Sequence, residues 1–221
     1  MWNNVKPMLP GYVFDACNRA GRRPEHEIGC VQLSGNIVAL WALRMSSDGR
    51  SQLIAELNSA LSDSTPNAAL ASLNDSLCQA YPDATNAVEL GVMLLNRSDH
   101  TLAVTAAGDF FAVLRTTDKN IISLDRSMAG LPLGMIRSME YRTQFVNLAP
   151  MDSVVWISPY TMQIMSATGN LYGQVGRRDK LQSAPLQLQT ALECITNDIE
   201  NFIGDYDRTE DICIMCFQRI E

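Results

Sequence analysis

The order of apolar patterns along the chain is the feature that most restricts its fold. Two segments with helical spacing of leucines, Gln52–Leu61 and Ala68–Ala80, are followed by a long series of short β-like segments separated by turn residues. Consecutive strands pair in antiparallel fashion, because a parallel neighbour needs a long crossover. The order therefore predicts an α/β protein of the α+β kind, with two antiparallel sheets and helices outside them. It excludes the strand–helix alternation of nucleotide-binding folds.

Residue spacing also predicts the individual elements. A further amphipathic helix is expected at Pro185–Ile203, and the apolar run Ile37–Met45 indicates a buried helix. Gly108 and Asp109 form a common turn pair, which favours a hairpin at that point. Strands are predicted at Tyr12–Cys17, Glu27–Leu33, Val88–Asn96, Thr101–Ala107, Phe110–Arg115, Asn120–Leu124, Tyr141–Leu148, Ser153–Ile157 and Asp211–Arg219.

Length and composition are those of one compact domain. A chain of 221 residues with 47% hydrophobic and 19% charged residues needs neither disulfides nor a structural metal to hold its core. Pro7 and Pro10 make residues 1–10 an irregular lead-in. We therefore expect a single domain over residues 11–221.

The net charge and the cysteine content restrict the classes of binding partner and the cellular compartment. A formal charge of −7 without a long basic cluster disfavours nucleic acid. Cys213 and Cys216 have CxxC spacing, but on a strand they point to opposite faces, which favours packing over zinc binding. Six scattered cysteines suit a reducing compartment. Because the sequence shows neither a signal peptide nor a membrane-spanning apolar run, we expect no membrane contact and a cytoplasmic protein.

Five segments in a fixed order resemble motifs of the PPM-type (protein phosphatase 2C-like) family, SpoIIE/RsbU branch. Ile28–Asn36 is similar to G-D-V-x-G-H-G, which precedes an alanine- and leucine-rich helix in that family, and Thr105–Phe110 is similar to N-A-G-H-x-P. Gly130–Gly134 matches the G-x-P-L-G loop, in which Gly130, Pro132 and Gly134 have a structural role. Leu148–Trp156 is similar to L-x-P-G-D-x-L-L-L, and Glu210–Ile214 to the closing D-D-I-T-L. The resemblance implies an α-β-β-α sandwich.

The resemblance also implies where metal ligands would stand. Phosphatases of this family hold two Mn²⁺ or Mg²⁺ ions with aspartates, because such hard cations require oxygen ligands. Carried over motif by motif, the aspartate positions fall on Tyr12, Cys30 and Pro159, and only Asp211 keeps a carboxylate. A single thiol is a poor ligand for either metal. We therefore expect no catalytic residues and no cofactor, with Asp211 as the remnant of a metal site.

The missing carboxylates imply a binding role. The sequence resembles the output domain of RssB-type response regulators, in which a phosphatase-like fold serves as a protein-binding surface. We expect a bacterial signalling domain that binds a regulatory protein of a sigma-factor, anti-sigma or two-component pathway, with homodimer formation as an open option. No receiver pattern precedes residue 10, so any receiver domain is expected outside this sequence.

An active, divergent serine/threonine phosphatase is the alternative. It would need Mn²⁺ or Mg²⁺ and would have to recruit Asp15, Asp109 or Asp152 beside Asp211, with carboxylates converging within about 5 Å.

Several polar residues also have ordinary structural explanations. His26 and His100 lie in polar segments, where a surface position is the expectation, and Asp109 fits a turn. Glu210 and Asp211 fit a solvent-exposed start of the last strand equally well.

Overall fold

The computed structural model describes residues 8–19, 21–22, 25–45, 49–81, 87–124, 129–166, 168–175, 177–204 and 211–221. These residues contain ten strands and six helices. The strands are β1 Tyr12–Arg19, β2 His26–Gln32, β3 Ile37–Arg44, β4 Glu89–Asn96, β5 Thr101–Ala107, β6 Phe111–Arg115, β7 Ile121–Leu124, β8 Thr143–Asn147, β9 Ser153–Ile157 and β10 Ile212–Arg219. The helices are α1 Arg50–Asp63, α2 Pro66–Ala80, α3 Pro159–Gln163, α4 Tyr172–Val175, α5 Arg177–Ser183 and α6 Leu188–Ile203.

The strands form two five-stranded sheets in which every neighbouring pair is antiparallel. The first sheet has the order β1-β10-β9-β6-β7 and the second has the order β2-β3-β4-β5-β8. One apolar cluster fills the space between the sheets. A second cluster lies between the second sheet and helices α1 and α2, and a third lies between the first sheet and helices α3 to α6. The predicted α-β-β-α sandwich of two antiparallel sheets is confirmed.

The prediction of a buried helix at Ile37–Met45 is wrong, because Ile37–Arg44 is strand β3. This strand is buried on both faces. Leu40 and its alternate neighbours pack in the cluster between the sheets, whereas Trp41 and its alternate neighbours pack beneath α1 and α2. A strand covered on both sides is apolar at every position, so residue spacing does not separate it from a buried helix.

The predicted hairpin at Gly108-Asp109 is also wrong. Strand β5 belongs to the second sheet and strand β6 to the first, so this segment carries the chain from one sheet to the other. Gly108 adopts a positive φ of 78° there, a conformation that glycine reaches without steric cost. A turn pair identifies a change of direction, but it does not identify the strand that pairs next.

Most other elements lie within a few residues of their predicted bounds, including β5 and β9 at the predicted residues. The short helices α3 to α5 were not predicted, because each is under two turns and carries little periodic signal. Cys213 packs between the sheets and Cys216 packs toward the helices, so the prediction that they face opposite sides is confirmed. Residues 1–7 of the predicted lead-in lie outside the described residues. None of the helices described is long and apolar enough to cross a membrane.

Gly91 tests how tightly the two sheets pack. A β-carbon added at Gly91 would lie 1.9 Å from the buried Phe110 ring, which stacks on Trp156 at 6.0 Å between centroids. Overpacking of this kind costs about 1–3 kcal/mol. We expect Gly91→Ala to lower the free energy of unfolding in urea by that amount. Gly35→Ala is the matched control, because a β-carbon there meets no atom within 4 Å. Equal stability of the two variants would contradict the packing described.

Candidate functional site at one end of the two sheets

Two of the predicted site positions, Pro159 and Asp211, lie together. Strand β9 ends just before Pro159, and strand β10 begins just after Asp211. The backbone N–H of Ser158 donates to the carbonyl of Cys213 at 2.9 Å, which places both positions at the same end of the first sheet. Pro159 occupies the first turn of α3 and is buried. We call this end of the sandwich the Asp211 end.

Tyr12 does not join them. It pairs with Arg219, the last residue of β10, whereas Asp211 precedes the first residue of that strand. Eight residues of extended chain separate two points by roughly 26 Å. The Tyr12 hydroxyl instead forms a hydrogen bond with Nδ1 of His100 at 2.8 Å, so His100 is a partly buried contact of the opposite end.

Cys30 lies within strand β2, with its side chain in the apolar cluster between the sheets. Burial raises the pKa of its thiol to about 11. The thiol is therefore protonated near neutral pH. Because a metal binds the thiolate, binding at Cys30 would require loss of that proton. The structure thus brings together Pro159 and Asp211, but not Tyr12 or Cys30.

Asp211 is fully buried and forms hydrogen bonds with neighbouring protein groups. Its Oδ1 lies 2.8 Å from Nδ1 of His26 and 3.1 Å from the backbone nitrogen of Glu25. Its Oδ2 accepts from the backbone N–H of His26 at 3.2 Å and from the Cys213 thiol at 3.4 Å. A carboxylate only accepts hydrogen bonds, so His26 donates from Nδ1. The expected solvent positions of His26 and Asp211 are therefore wrong.

The contact with His26 shifts the pKa of Asp211. Burial by itself raises the pKa of the carboxyl group, but the hydrogen bond and charge of His26 and the backbone N–H of Glu25 outweigh it. The net effect is a pKa below the ordinary value. Asp211 is therefore ionised at neutral pH, and it accepts hydrogen bonds from His26 and from backbone N–H groups.

Arg44 brings a cation to the same end. It is the last residue of β3 and stands opposite His26 in the antiparallel register. Its guanidinium lies 3.2 Å from an oxygen of Glu25 and 3.3 Å from an oxygen of Glu89, which begins β4. Burial raises the pKa of Glu89, the nearby charge of Arg44 lowers it, and the net shift is upward. The acidic side chains of Glu25 and Glu89 therefore share Arg44 as their cationic partner.

The position of Arg44 bears on the motif resemblance. In the family, G-D-V-x-G-H-G is followed by a helix, but Ile28–Asn36 is followed by strand β3. The next helix is α1, which begins at Arg50, so the strand-to-helix connection starts at Arg44. Residues 46–48 of that connection lie outside the described residues.

The carboxylates required by the alternative enzyme do not converge on Asp211. Asp15 lies midway along strand β1, where it pairs with Cys216 of β10. Asp152 is at the opposite end, where it accepts from the backbone N–H groups of Thr117 and Ala149 at 3.0 Å. Asp109 is exposed near Glu89. Among the residues described, no group of three or more histidine, cysteine, aspartate or glutamate side chains has the geometry to hold a metal ion.

The Gly130–Ser138 loop borders the Asp211 end. The Gly130 N–H donates to the carbonyl of Ala106 near the end of β5, and the Gly130 carbonyl accepts from the N–H of Gly108, just after that strand. Leu133 and Val88, which lies just before β4, each donate a backbone N–H to the carbonyl of the other. Asn74 of α2 is fully buried and uses both ends of its amide on this loop, accepting from the Gly134 N–H at 3.0 Å and donating to the Ile136 carbonyl at 2.8 Å. The loop is thus tied to the helices and to the sheet.

This anchored loop presents apolar side chains to solvent. Leu131, Met135 and Ile136 are 41%, 43% and 55% exposed. Side chains of this kind are ordinary when scattered, but here they lie close together on one anchored loop. Such a group is typical of a surface that another protein covers.

Sequence reasoning missed His26, Arg44 and Asn74. No local pattern distinguishes them, because each acquires its role from a partner far along the chain. The antiparallel register of β2 and β3 places His26 opposite Arg44, but the apolar run of β3 predicts a helix instead.

Comparison with known proteins places this site in a family context. The family model described as stage II sporulation protein E (SpoIIE) matches residues 46–220. A search of curated proteins found no match.

Several solved structures share the fold. The phosphatase domain of SpoIIE from Bacillus subtilis, solved with a fragment of its regulatory domain, has a TM-score of 0.76 at 13% identity over 94% of this chain and 63% of that chain. The SiaA-PP2C domain of Pseudomonas aeruginosa has a TM-score of 0.74 at 14% identity, over 94% and 85%. The RsbU and RsbW domains of a Mycobacterium tuberculosis protein give 0.70 at 15% identity, over 94% and 60%. The chain spans less than two thirds of the Bacillus and Mycobacterium chains.

Replacing Asp211 by asparagine tests the buried pair. Asp211→Asn removes a buried charged hydrogen-bond acceptor, and a hydrogen bond to a charged group contributes about 1.5–3 kcal/mol. We expect Asp211→Asn to lower the free energy of unfolding at pH 7 by that amount. Because the folded pKa is depressed, the wild-type contribution is present above the ordinary value of about 3.9 and is lost as the pH falls through the lower folded value.

Urea unfolding at several pH values measures both effects. The stability difference between wild type and Asp211→Asn should shrink as the pH falls into the acid range. Asp63→Asn is the matched control, since Asp63 is an exposed aspartate at the end of α1. A constant difference at all pH values would rule out the charge of Asp211 as its cause.

Proposed function

This chain belongs to the SpoIIE family and is a PPM-type domain of the SpoIIE/RsbU branch, and we propose that it has lost catalysis and acts by binding a regulatory protein. The observation that carries the proposal is the pairing of the acidic side chains at the Asp211 end with His26 and Arg44. In a phosphatase of this type, divalent metal ions would balance such carboxylates.

The donor set that the described residues offer at the Asp211 end does not fit Mn²⁺ or Mg²⁺. These ions need several oxygen ligands at roughly 2.0–2.6 Å. Asp211 is fully buried and already accepts hydrogen bonds on both oxygens. Arg44 is a permanent cation that lies between Glu25 and Glu89, where it repels an incoming divalent ion. Pro159 offers no side-chain ligand. We therefore assign no metal cofactor and no catalytic residue.

Protein binding is the activity that an inert domain of this kind retains. The anchored Gly130–Ser138 loop, with Met135 and Ile136 exposed, borders the Asp211 end and supports a contact surface there. A rigid apolar surface loses little conformational entropy on binding. By analogy with the RssB-type output domain, we propose as partner a regulator of a sigma-factor or two-component pathway in the bacterial cytoplasm.

Metal titration tests the loss of catalysis. We expect no micromolar heat signal when Mn²⁺ or Mg²⁺ is added in isothermal titration calorimetry, and no metal-dependent hydrolysis of para-nitrophenyl phosphate. A triple variant, His26→Asp, Arg44→Asp and Pro159→Asp, adds three carboxylates beside Asp211. If it folds, Mn²⁺ at a hundredfold excess over its Kd should stabilise it by about 2.7 kcal/mol. Micromolar Mn²⁺ binding with turnover by the wild type would defeat the proposal.

The proposed contact loop has its own test. Wild-type domain immobilised in native cell extract should retain a specific protein in the presence of EDTA. The double variant Met135→Asp and Ile136→Asp should lose it, because charges replace the apolar contact. Ile122→Asp is the control, since Ile122 is 45% exposed on β7 of the other sheet. Loss of the protein with both variants, or with neither, would exclude the loop as the contact.

A further inference from the structure

The outermost strands of the two sheets are not equally protected against pairing with strands of other chains. Exposed edges invite pairing with other chains, and natural proteins block them with charges, proline or covering elements. Strand β1 carries Arg19, which pairs with Glu200 of α6 at 2.9 Å. Strand β7 lies beside α5, whose Arg178 donates to the Ile121 carbonyl at 3.4 Å. Strand β2 carries the charged residue Glu27.

Strand β8 has none of these protections in the described part of the chain. It is the last strand of the second sheet, and its sequence Thr-Gln-Phe-Val-Asn contains neither a charge nor a proline. Val146 packs toward the core between the sheets, so its neighbour Phe145 points to the outer face. Phe145 is 68% exposed, although aromatic side chains are usually well covered.

The outer face beside β8 forms a shallow groove. Phe145 lines it together with Ala103 and Leu94, which stand beside it on the neighbouring strands. Three charged side chains also line the groove. Arg142 precedes β8, Asp99 lies in the turn before β5 at the other end of β8, and Asp63 is the last residue of α1. All three side chains are exposed.

These features are self-complementary. A two-fold axis at Phe145 would set β8 antiparallel to β8 of a second copy, with Thr143 opposite Asn147 and the two Phe145 rings side by side. Aromatic cross-strand pairs stabilise such a contact. Arg142 would then stand opposite position 148 of the second copy. Within each copy, the Leu148 N–H donates to the carbonyl of His100, so Asp99 lies near position 148. Asp99 of the second copy would therefore lie about two strand spacings, or about 10 Å, from Arg142 of the first.

We propose that β8 and its groove are the interface of a homodimer, in which the second sheets of two copies join edge to edge. The two-fold axis generates each contact twice. Arg142 of the first copy contacts Asp99 of the second, and Arg142 of the second copy contacts Asp99 of the first. An unrelated partner would need a matching pair of charges by coincidence, whereas a second copy supplies it. This interface is separate from the contact loop and does not depend on the loss of catalysis.

Sedimentation measures the association directly. Across a wide concentration series we expect the mass of the wild type to rise from 24.4 kDa toward twice that value. Phe145→Asp should weaken the dimer at least about tenfold, as loss of a central aromatic does. Ile122→Asp is the matched control on the edge strand β7 and should leave it unchanged. Circular dichroism verifies that both variants fold.

A charge exchange distinguishes this interface from any other. Arg142→Glu and Asp99→Arg should each weaken self-association, because each places like charges at both contacts. A mixture of the two variants should restore the dimer, since every contact in the mixed dimer again joins opposite charges. Asp99 also accepts from the Thr101 N–H at 3.0 Å, so the melting temperature of Asp99→Arg is measured separately. If that variant fails to fold, the salt dependence of the wild-type dimer replaces the exchange, and added salt should weaken it.

Three results would overturn the proposal. The first is a wild type that stays at 24.4 kDa throughout, which would leave the edge to a different partner. The second is a dimer of unchanged strength in Phe145→Asp, which would locate the contact elsewhere. The third is a mixture of the two charge variants, both folded, that associates no better than either alone.

Discussion

The buried pair of His26 and Asp211 joins the two sheets at the Asp211 end. His26 begins β2 of the second sheet, and Asp211 precedes β10 of the first, so the pair ties one sheet to the other. Neither side chain reaches solvent. A lone charge in such a place would be expensive, and the arrangement is stable because each group supplies what the other needs.

Contacts within the protein stabilise the acidic side chains at the Asp211 end. Carboxylates gathered at a sheet end repel one another unless cations or hydrogen-bond donors lie between them. Here His26 donates a hydrogen bond to Asp211, and Arg44 pairs with Glu25 and Glu89. His26 and Arg44 stand opposite each other in the register of strands β2 and β3.

The sequence predicted much of the fold and only part of the site. Amphipathic helices α1, α2 and α6 and the alternating strands carry their own periodic signal, and their existence followed from it. Strand β3 did not, because burial on both faces removes the alternation. That one misassignment hid the register of His26 and Arg44. The shared location of Pro159 and Asp211 follows from strands β9 and β10, which the sequence predicts within one residue of their bounds.

The order of apolar patterns by itself determined that this chain forms antiparallel sheets with helices outside. That is a property of residue type and order, which does not depend on tertiary contacts. Only the tertiary structure decided which residues meet at the Asp211 end, that His26 is buried rather than exposed, and that β8 is the last strand of the second sheet. Each of these depends on strand pairing between residues far apart in the chain, and the free energy of such pairing is set by packing across the whole sandwich rather than by any local pattern.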